Sequence, residues 1–213
     1  MPFPSEHPIV GIDEVGRGPL AGPLVACALL LPPGLPTSLL GLLGDSKALS
    51  PRRRALARTA LLEADVPYGL GACSAFEVDR LNPHAATMLA MERAWSALLR
   101  RCPEAVYACI VIDGQHVPRT LRGNTQVTAR PKADATEPAV SAASIIAKEA
   151  RDEGMRRLHI RHPVYGFDAH AGYGTPAHMR ALKEHGATRH HRMTFLRRIL
   201  TAPSLPLLVP DRT

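Results

Sequence analysis

One stretch constrains this chain more than any other: Ile9-Val10-Gly11-Ile12-Asp13-Glu14-Val15-Gly16-Arg17-Gly18-Pro19. An apolar run of this kind predicts a buried strand. It ends in two adjacent carboxylates. A Gly-Arg-Gly turn then reverses the chain into a second apolar run, Leu24 to Leu31. Unpaired charge at the end of a core strand is costly, and a divalent cation is the natural compensating group. Most Asp-Glu dipeptides lie on solvated surfaces, so the pair alone does not define a site. Gly16, Gly18 and Ala21 also fit the loose pattern G-x-G-x-x-[G/A]. That dinucleotide motif must open a helix, and Pro19 with the strand-like run behind it excludes the reading.

The acid-ended strand recurs. Val106 to Gly114 is again an apolar run closed by a carboxylate and a glycine, Asp113-Gly114. Gln126 to Arg130 reads as a short strand, and the segment after it carries a third acid, Asp134. If the ends of three core strands lie side by side, Asp13, Glu14, Asp113 and Asp134 converge. Like charges that close cannot all ionise without a cation between them. Oxygen donors without Cys or His point to Mg²⁺ or Mn²⁺ rather than zinc, and two such ions suit phosphodiester hydrolysis. Neighbouring strand residues face opposite sides, so Asp13 and Glu14 share a site only at a strand end or kink.

The rest of the chain alternates strands and helices, which predicts an α/β fold with a mixed sheet flanked by helices. Ser50-Pro51 opens a helix to about Asp65, with Arg52, Arg53, Arg54 and Arg58 on a solvated face. Tyr68 to Ala75 reads as a strand and Phe76 to Leu81 as a short helix. Asn82-Pro83 starts a helix to about Arg101, with Met91, Trp95 and Leu98 in the core. Ala139 to His159 is a long helix with an apolar stripe and basic positions at Lys148, Arg151, Arg156 and Arg157. Thr175-Pro176 to Gly186 is a capped helix. His190 and His191 read as basic surface, and Phe195 to Leu200 as a short C-terminal helix.

At 213 residues with a formal charge of +7, the chain suits one domain and a polyanionic partner. Cys27, Cys73, Cys102 and Cys109 have no C-x-x-C spacing, and Cys27, Cys73 and Cys109 lie in strand-like apolar runs. They read as buried free thiols of a reducing cytoplasm. No apolar run is long enough to span a membrane, and no signal peptide opens the chain.

Taken together these segments resemble the type 2 ribonucleases H, the bacterial ribonuclease HII family in particular. The residues that carry the likeness are Gly11 to Pro23, Asp45-Ser46-Lys47, Ile112-Asp113-Gly114, Lys132 with Asp134-Ala135, Ala142 to Ile145 with Ala147-Lys148, and Arg151-Asp152. Tyr165-Gly166-Phe167, His170, Gly172-Tyr173-Gly174-Thr175 and His191-Arg192 with Phe195 continue it. The resemblance implies a ribonuclease H-like fold over residues 1–200, with a small C-terminal helical segment and a flexible tail at 201–213. It implies cleavage of RNA in RNA–DNA hybrids and incision at single ribonucleotides in duplex DNA, with Mg²⁺ or Mn²⁺.

Asp13, Glu14, Asp113 and Asp134 match the family's four metal-binding catalytic acids. Gly16-Arg17-Gly18 matches its turn that reads the 2′-OH, and Tyr173 the tyrosine that packs on the sugar. Lys47 and Lys148 are candidate phosphate ligands. Ala133, Gln115, Ala171 and Met193-Thr194 depart from the usual residues, without touching the acids. The tail lacks an aromatic residue, so tail-mediated docking on a sliding clamp is not expected, and the chain is expected to be a monomer. Two alternatives remain: a binding module without catalysis, and a type 3 enzyme restricted to hybrids.

Overall fold

The computed structural model describes residues 8–44 and 49–199. The strands are β1 (Ile9–Val15), β2 (Leu24–Leu31), β3 (Tyr68–Cys73), β4 (Cys109–Asp113) and β5 (Val127–Arg130), in one sheet of order β3-β2-β1-β4-β5. β1 is antiparallel to β2 and parallel to β4, and β4 is parallel to β5. The helices are α1 (Thr37–Leu40), α2 (Pro51–Glu63), α3 (Ala75–Arg101), α4 (Pro138–Arg161), α5 (Phe167–His170), α6 (Pro176–His185) and α7 (Met193–Ile199). This is the α/β fold with a helix-flanked mixed sheet that the strand–helix alternation predicts.

The chain divides into two compact units. The first comprises residues 1–15, 25–72 and 87–149, and the second residues 16–24, 73–86 and 150–213. The peptide bond between Val15 and Gly16 passes from one to the other.

The sheet belongs almost wholly to the first unit. β2 is buried over seven of its eight residues, which is why its sequence is continuous Leu, Val and Ala rather than alternating. Residues 139–147 of α4 are all buried. Ala142, Ala143, Ile146 and Ala147 pack with Cys27, Leu29, Leu61 and Val66. This half of the helix is buried all round rather than striped, and its small residues let it approach closely. A Cβ on Gly11 would stand 2.1 Å from the Ala139 backbone, so only glycine lets β1 and α4 meet there. Ser50 caps α2 by accepting from the Arg53 N–H, with Pro51 at the first helical position. Arg54 is not part of a solvated face: it is half-buried, donates to the Leu49 carbonyl and lies 3.4 Å from Glu149.

The expected pair of helices around Asn82 is a single element broken there, where Asn82 adopts φ 70° and ψ 161°. Its side chain accepts from the N–H groups of His84 and Ala85 and restarts the helix. In the second unit, Thr175 caps α6 over the His178 N–H, and Gly186 ends it at φ 75°. α7 starts earlier than its apolar residues suggest, at Met193. The Asp79 carboxylate accepts the Met193 and Thr194 N–H groups and so supplies an N-terminal cap from a distant segment. Cys27, Cys73 and Cys102 are buried free thiols, but Cys109 is exposed, against the buried position its apolar run suggests. Among the described residues, no helix is long and apolar enough to cross a membrane. The tail at 201–213 lies outside the described residues.

Candidate active site

In the first unit, strand register brings the acids together. The parallel β1–β4 ladder runs to Ile12↔Ile112, so Asp13 and Asp113 are the next residues on adjacent strands. Asp113 in turn pairs with Arg130 of β5. β5 is half-exposed along its length, an edge strand rather than the core strand expected, and Asp134 does not end it. Asp134 sits beyond it in a single 3₁₀ turn, Ala133–Ala135. The Ala133 N–H donates to Asp113 Oδ1 at 2.8 Å, which ties that turn to the end of β4. The left-handed backbone this turn needs falls on Lys132, at φ 61°, so Ala133 fills the position commonly held by glycine without strain.

Asp13 is 2% exposed and Asp134 4%. β1 pairs with β2 through both acids as far as Val15↔Val25, but its ladder with β4 stops at Ile12↔Ile112, so both acids lie past the end of the parallel pairing, and the Glu14 charge reaches Asp13. Asp13 shares its face with Gly11, the face covered by α4. Its carboxyl is pushed well above the usual range, first by burial, then by the charges of Glu14 and Asp113. The Ser144 hydroxyl of α4 and the Glu14 N–H oppose the shift. Oδ1 accepts that N–H at 2.7 Å, while Oδ2 is buried without a hydrogen-bond partner among the described residues. Opposite it in β2, the Cys27 thiol is also pushed up, by burial and then by the Asp13 charge.

A buried, unpartnered carboxylate oxygen among other carboxylates fits a hard divalent cation. Among the described residues, no three Asp, Glu, His or Cys side chains are gathered into a ready metal cage. Mg²⁺ needs none, because it takes one or two carboxylates and completes its shell with water and phosphate oxygens. Lys148 is half-buried on α4; Lys47 lies outside the described residues.

In the second unit, the Gly16-Arg17-Gly18 turn and Tyr173 belong to one hydrogen-bonded assembly. The N–H groups of Leu20 and Ala21 donate to the Gly172 carbonyl at 2.8 and 3.2 Å. Gly16 is buried at φ 89°, and a Cβ there would lie 2.3 Å from Arg151 Nε. Arg17 and Gly18 are exposed, and Tyr173 is 47% exposed. A pocket of about 430 Å³ opens beside Gly18, lined by Leu20, Asp79, Asn82, Pro83, Thr194 and Phe195.

The residues behind this surface belong to the family resemblance, but nothing in the sequence marks them as buried. Arg151 and Arg192 are both fully buried. Arg151 donates to the carbonyls of Pro23, Ala171 and Ala21. Arg192 donates to those of Gly16, Arg17 and Gly22. Burial lowers both guanidinium pKa values, that of Arg192 to about 10. His191 is not basic surface. It is 2% exposed, and burial followed by the His178 charge lowers its pKa to about 3. His178 is likewise buried and lowered to about 4, mainly by desolvation. His170 is bound within the fold, with Nε2 at 2.8 Å from the Tyr165 carbonyl oxygen and Nδ1 accepting from the Gly172 N–H.

A helix-flanked mixed sheet with Asp13 and Asp113 side by side where the parallel β1–β4 ladder stops fits a ribonuclease H-like α/β protein. Solved structures bear this out. The ribonuclease HII of the PCNA–RNase HII complex from Archaeoglobus fulgidus superposes with a TM-score of 0.66 at 26% identity, over 87% of this chain and 93% of that one. The fold is shared with Bst-RNase HIII in complex with Mn²⁺, at TM-score 0.68 and 22% identity, over 89% of this chain and 65% of that one. The sequence model of ribonuclease HII matches residues 10–198, and the chain belongs to the ribonuclease HII family. Ribonuclease HII of Burkholderia thailandensis is 45% identical over 187 residues, 88% of this chain and 82% of that protein. The chain is thus a ribonuclease H, an endonucleolytic hydrolase.

Proposed function

We propose that the chain cleaves the RNA strand of RNA–DNA hybrids and incises duplex DNA on the 5′ side of single embedded ribonucleotides. The observation that carries this reading is the β1–β4 register, with Asp13 and Asp113 adjacent and Asp13 Oδ2 buried without a partner among the described residues.

Asp13, Glu14, Asp113 and Asp134 would hold Mg²⁺ or Mn²⁺, two ions with substrate bound. When bound, the cations neutralise the phosphate and lower the pKa of water for attack on phosphorus. The carboxylates orient the phosphodiester, and Lys148 and Lys47 contribute positive charge to its oxygens. Water adds to phosphorus, the P–O3′ bond breaks, and the departing O3′ takes a proton. The products are a 3′-OH and a 5′-phosphate, because the 2′-OH serves recognition and is not the nucleophile.

Only the 2′-OH marks one ribonucleotide within DNA. Gly16-Arg17-Gly18 offers backbone groups to it, Gly18 without a Cβ in the way. Tyr173 offers an exposed ring face and hydroxyl to the sugar. The enzyme works as a monomer in the cytoplasm, where its four thiols stay reduced, and does not dock a sliding clamp through its tail.

The test is a labelled duplex with one ribonucleotide, incubated with Mg²⁺ or Mn²⁺, beside an all-DNA control and Asp113→Asn. One metal-dependent cut 5′ to the ribonucleotide, lost in the variant, is expected. Cutting of long hybrids alone would remove the junction role of Gly16-Arg17-Gly18 and Tyr173 and leave a hybrid-only enzyme. Binding without cutting would leave a module without catalysis.

A further inference from the structure

The reading surface is backed by two adjacent residues, and each serves one arm of it. We infer that His191-Arg192 is a positioning dipeptide: Arg192 fixes the peptide planes of the Gly16-Arg17-Gly18 turn, and His191 acts through His178 to fix the Tyr173 backbone. This rests on the proposed role of those two elements in reading the 2′-OH.

Arg192 Nη2 lies 2.6 Å from the Gly16 carbonyl oxygen, and Nη1 2.7 Å from that of Arg17. In a trans peptide the carbonyl and the following N–H point in opposite directions. Drawing these two carbonyls onto a buried guanidinium therefore turns the N–H groups of Arg17 and Gly18 away from it. The planar fork suits this task, since one rigid group holds both peptides and Gly22 at once. A lysine in its place offers a single point of attachment.

The other arm is a directional chain. The Thr188 N–H donates to His191 Nδ1 at 3.0 Å. His191 Nε2 must therefore carry the proton when the ring is neutral. It lies 3.1 Å from His178 Nε2 and donates to it. His178 Nδ1 then carries its own proton and donates to the Tyr173 carbonyl at 2.9 Å. Every ring nitrogen in the chain is used, and only one pair of tautomers satisfies all three contacts. The segment is anchored to the turn as well: the Arg192 N–H donates to the Leu20 carbonyl at 2.7 Å, and the Gly22 N–H to that of His190 at 2.8 Å.

Arg151 provides the control. It is equally buried, yet it donates to Ala21, Pro23 and Ala171 and to neither peptide of the Gly-Arg-Gly turn. The readout is the ratio of cleavage rates on a duplex with one embedded ribonucleotide and on a long RNA–DNA hybrid. The hybrid offers a 2′-OH at every position and tolerates a misplaced turn better. Arg192→Lys should lower the ratio about tenfold, the cost of one misaligned hydrogen-bonding group. Arg151→Lys should lower the melting temperature comparably and leave the ratio unchanged. His178→Asn keeps a donor near Nδ1 and should retain the ratio, whereas His178→Phe should lose it.

An equal fall in the ratio for both arginine variants, or no fall for either, would overturn the positioning role of Arg192. Equal ratios in the two His178 variants would overturn the second arm and stand even if Arg192→Lys failed to fold. Failure of the unaltered enzyme to cut the embedded ribonucleotide would instead overturn the proposed function, and this inference with it.

Discussion

The two units bury charge in opposite ways. In the first, Asp13 carries a carboxylate oxygen that nothing among the described residues satisfies, with Glu14 and Asp113 adding repulsion. In the second, every nitrogen of two buried guanidiniums donates to a backbone carbonyl. Charge left uncompensated stores a demand for something outside the chain, while charge compensated from within makes a scaffold. By this criterion the first unit is built to receive cations and phosphate, and the second to hold a shape.

Asp13→Asn breaks the comparison most sharply. It should lower cleavage by roughly 10²–10⁴-fold. In metal-free buffer at neutral pH it should also melt higher than the unaltered protein. The sign follows from the raised carboxyl. A group whose folded pKa exceeds its unfolded value supports the fold at low pH and loses that support as pH rises through the folded pKa. Asparagine carries no such loss, so the stability gain should fade as pH falls from the raised folded pKa towards the ordinary value of 3.8 and be absent below it. Melting curves across pH in a chelator check this; an Asn variant less stable at every pH would mean that Asp13 is satisfied within the fold.

The second unit should show the reverse dependence. His178 and His191 are held at about 4 and about 3, below the ordinary 6.5. His162, His170 and His190 add to the repulsion they would feel if protonated. Neutral imidazoles support the fold above pH 6.5, and that support is lost as pH falls towards 3. Hydrogen exchange of amides in α6 and the 186–192 segment should therefore accelerate on acidification before that of β1 and β4. Simultaneous acceleration in both units would erase the distinction.

The acids and the Gly-Arg-Gly turn were legible because each breaks a local rule: charge in an apolar strand, glycines flanking a cation. The α6 caps were legible for the same reason, since Thr175, Pro176 and Gly186 act over one turn. What lies behind the site was not. His191 and Arg192 look like a basic surface run, and only contacts spanning some 170 residues of chain, Arg192 to Gly16 and Gly22, show them as core. The separation of β5 from Asp134 is hidden in the sequence because Lys132, a residue that seldom takes a positive φ, carries the turn between them.

Two glycines of the turn sharpen the comparison at smaller scale. Gly16→Ala must force a positive φ and press a Cβ towards Arg151. It should destabilise the protein by roughly 2–6 kcal/mol, measurable by chemical denaturation. A cost under about 1 kcal/mol would show that the turn relaxes and that the packing around Gly16 does not lock it.

Gly18→Ala should behave differently. Gly18 has no positive φ, and a Cβ there meets nothing within 4 Å, so the fold has no use for glycine at this position. Stability should change by less than about 0.5 kcal/mol. A glycine that the fold does not need leaves room for the proposed approach of the substrate. The methyl would stand between the Gly18 backbone and a ribose, raising KM for an embedded ribonucleotide about tenfold with kcat little altered. An unchanged KM would mean that the sugar does not approach Gly18, and that the reading of the 2′-OH falls to Tyr173 and the remaining peptides of the turn.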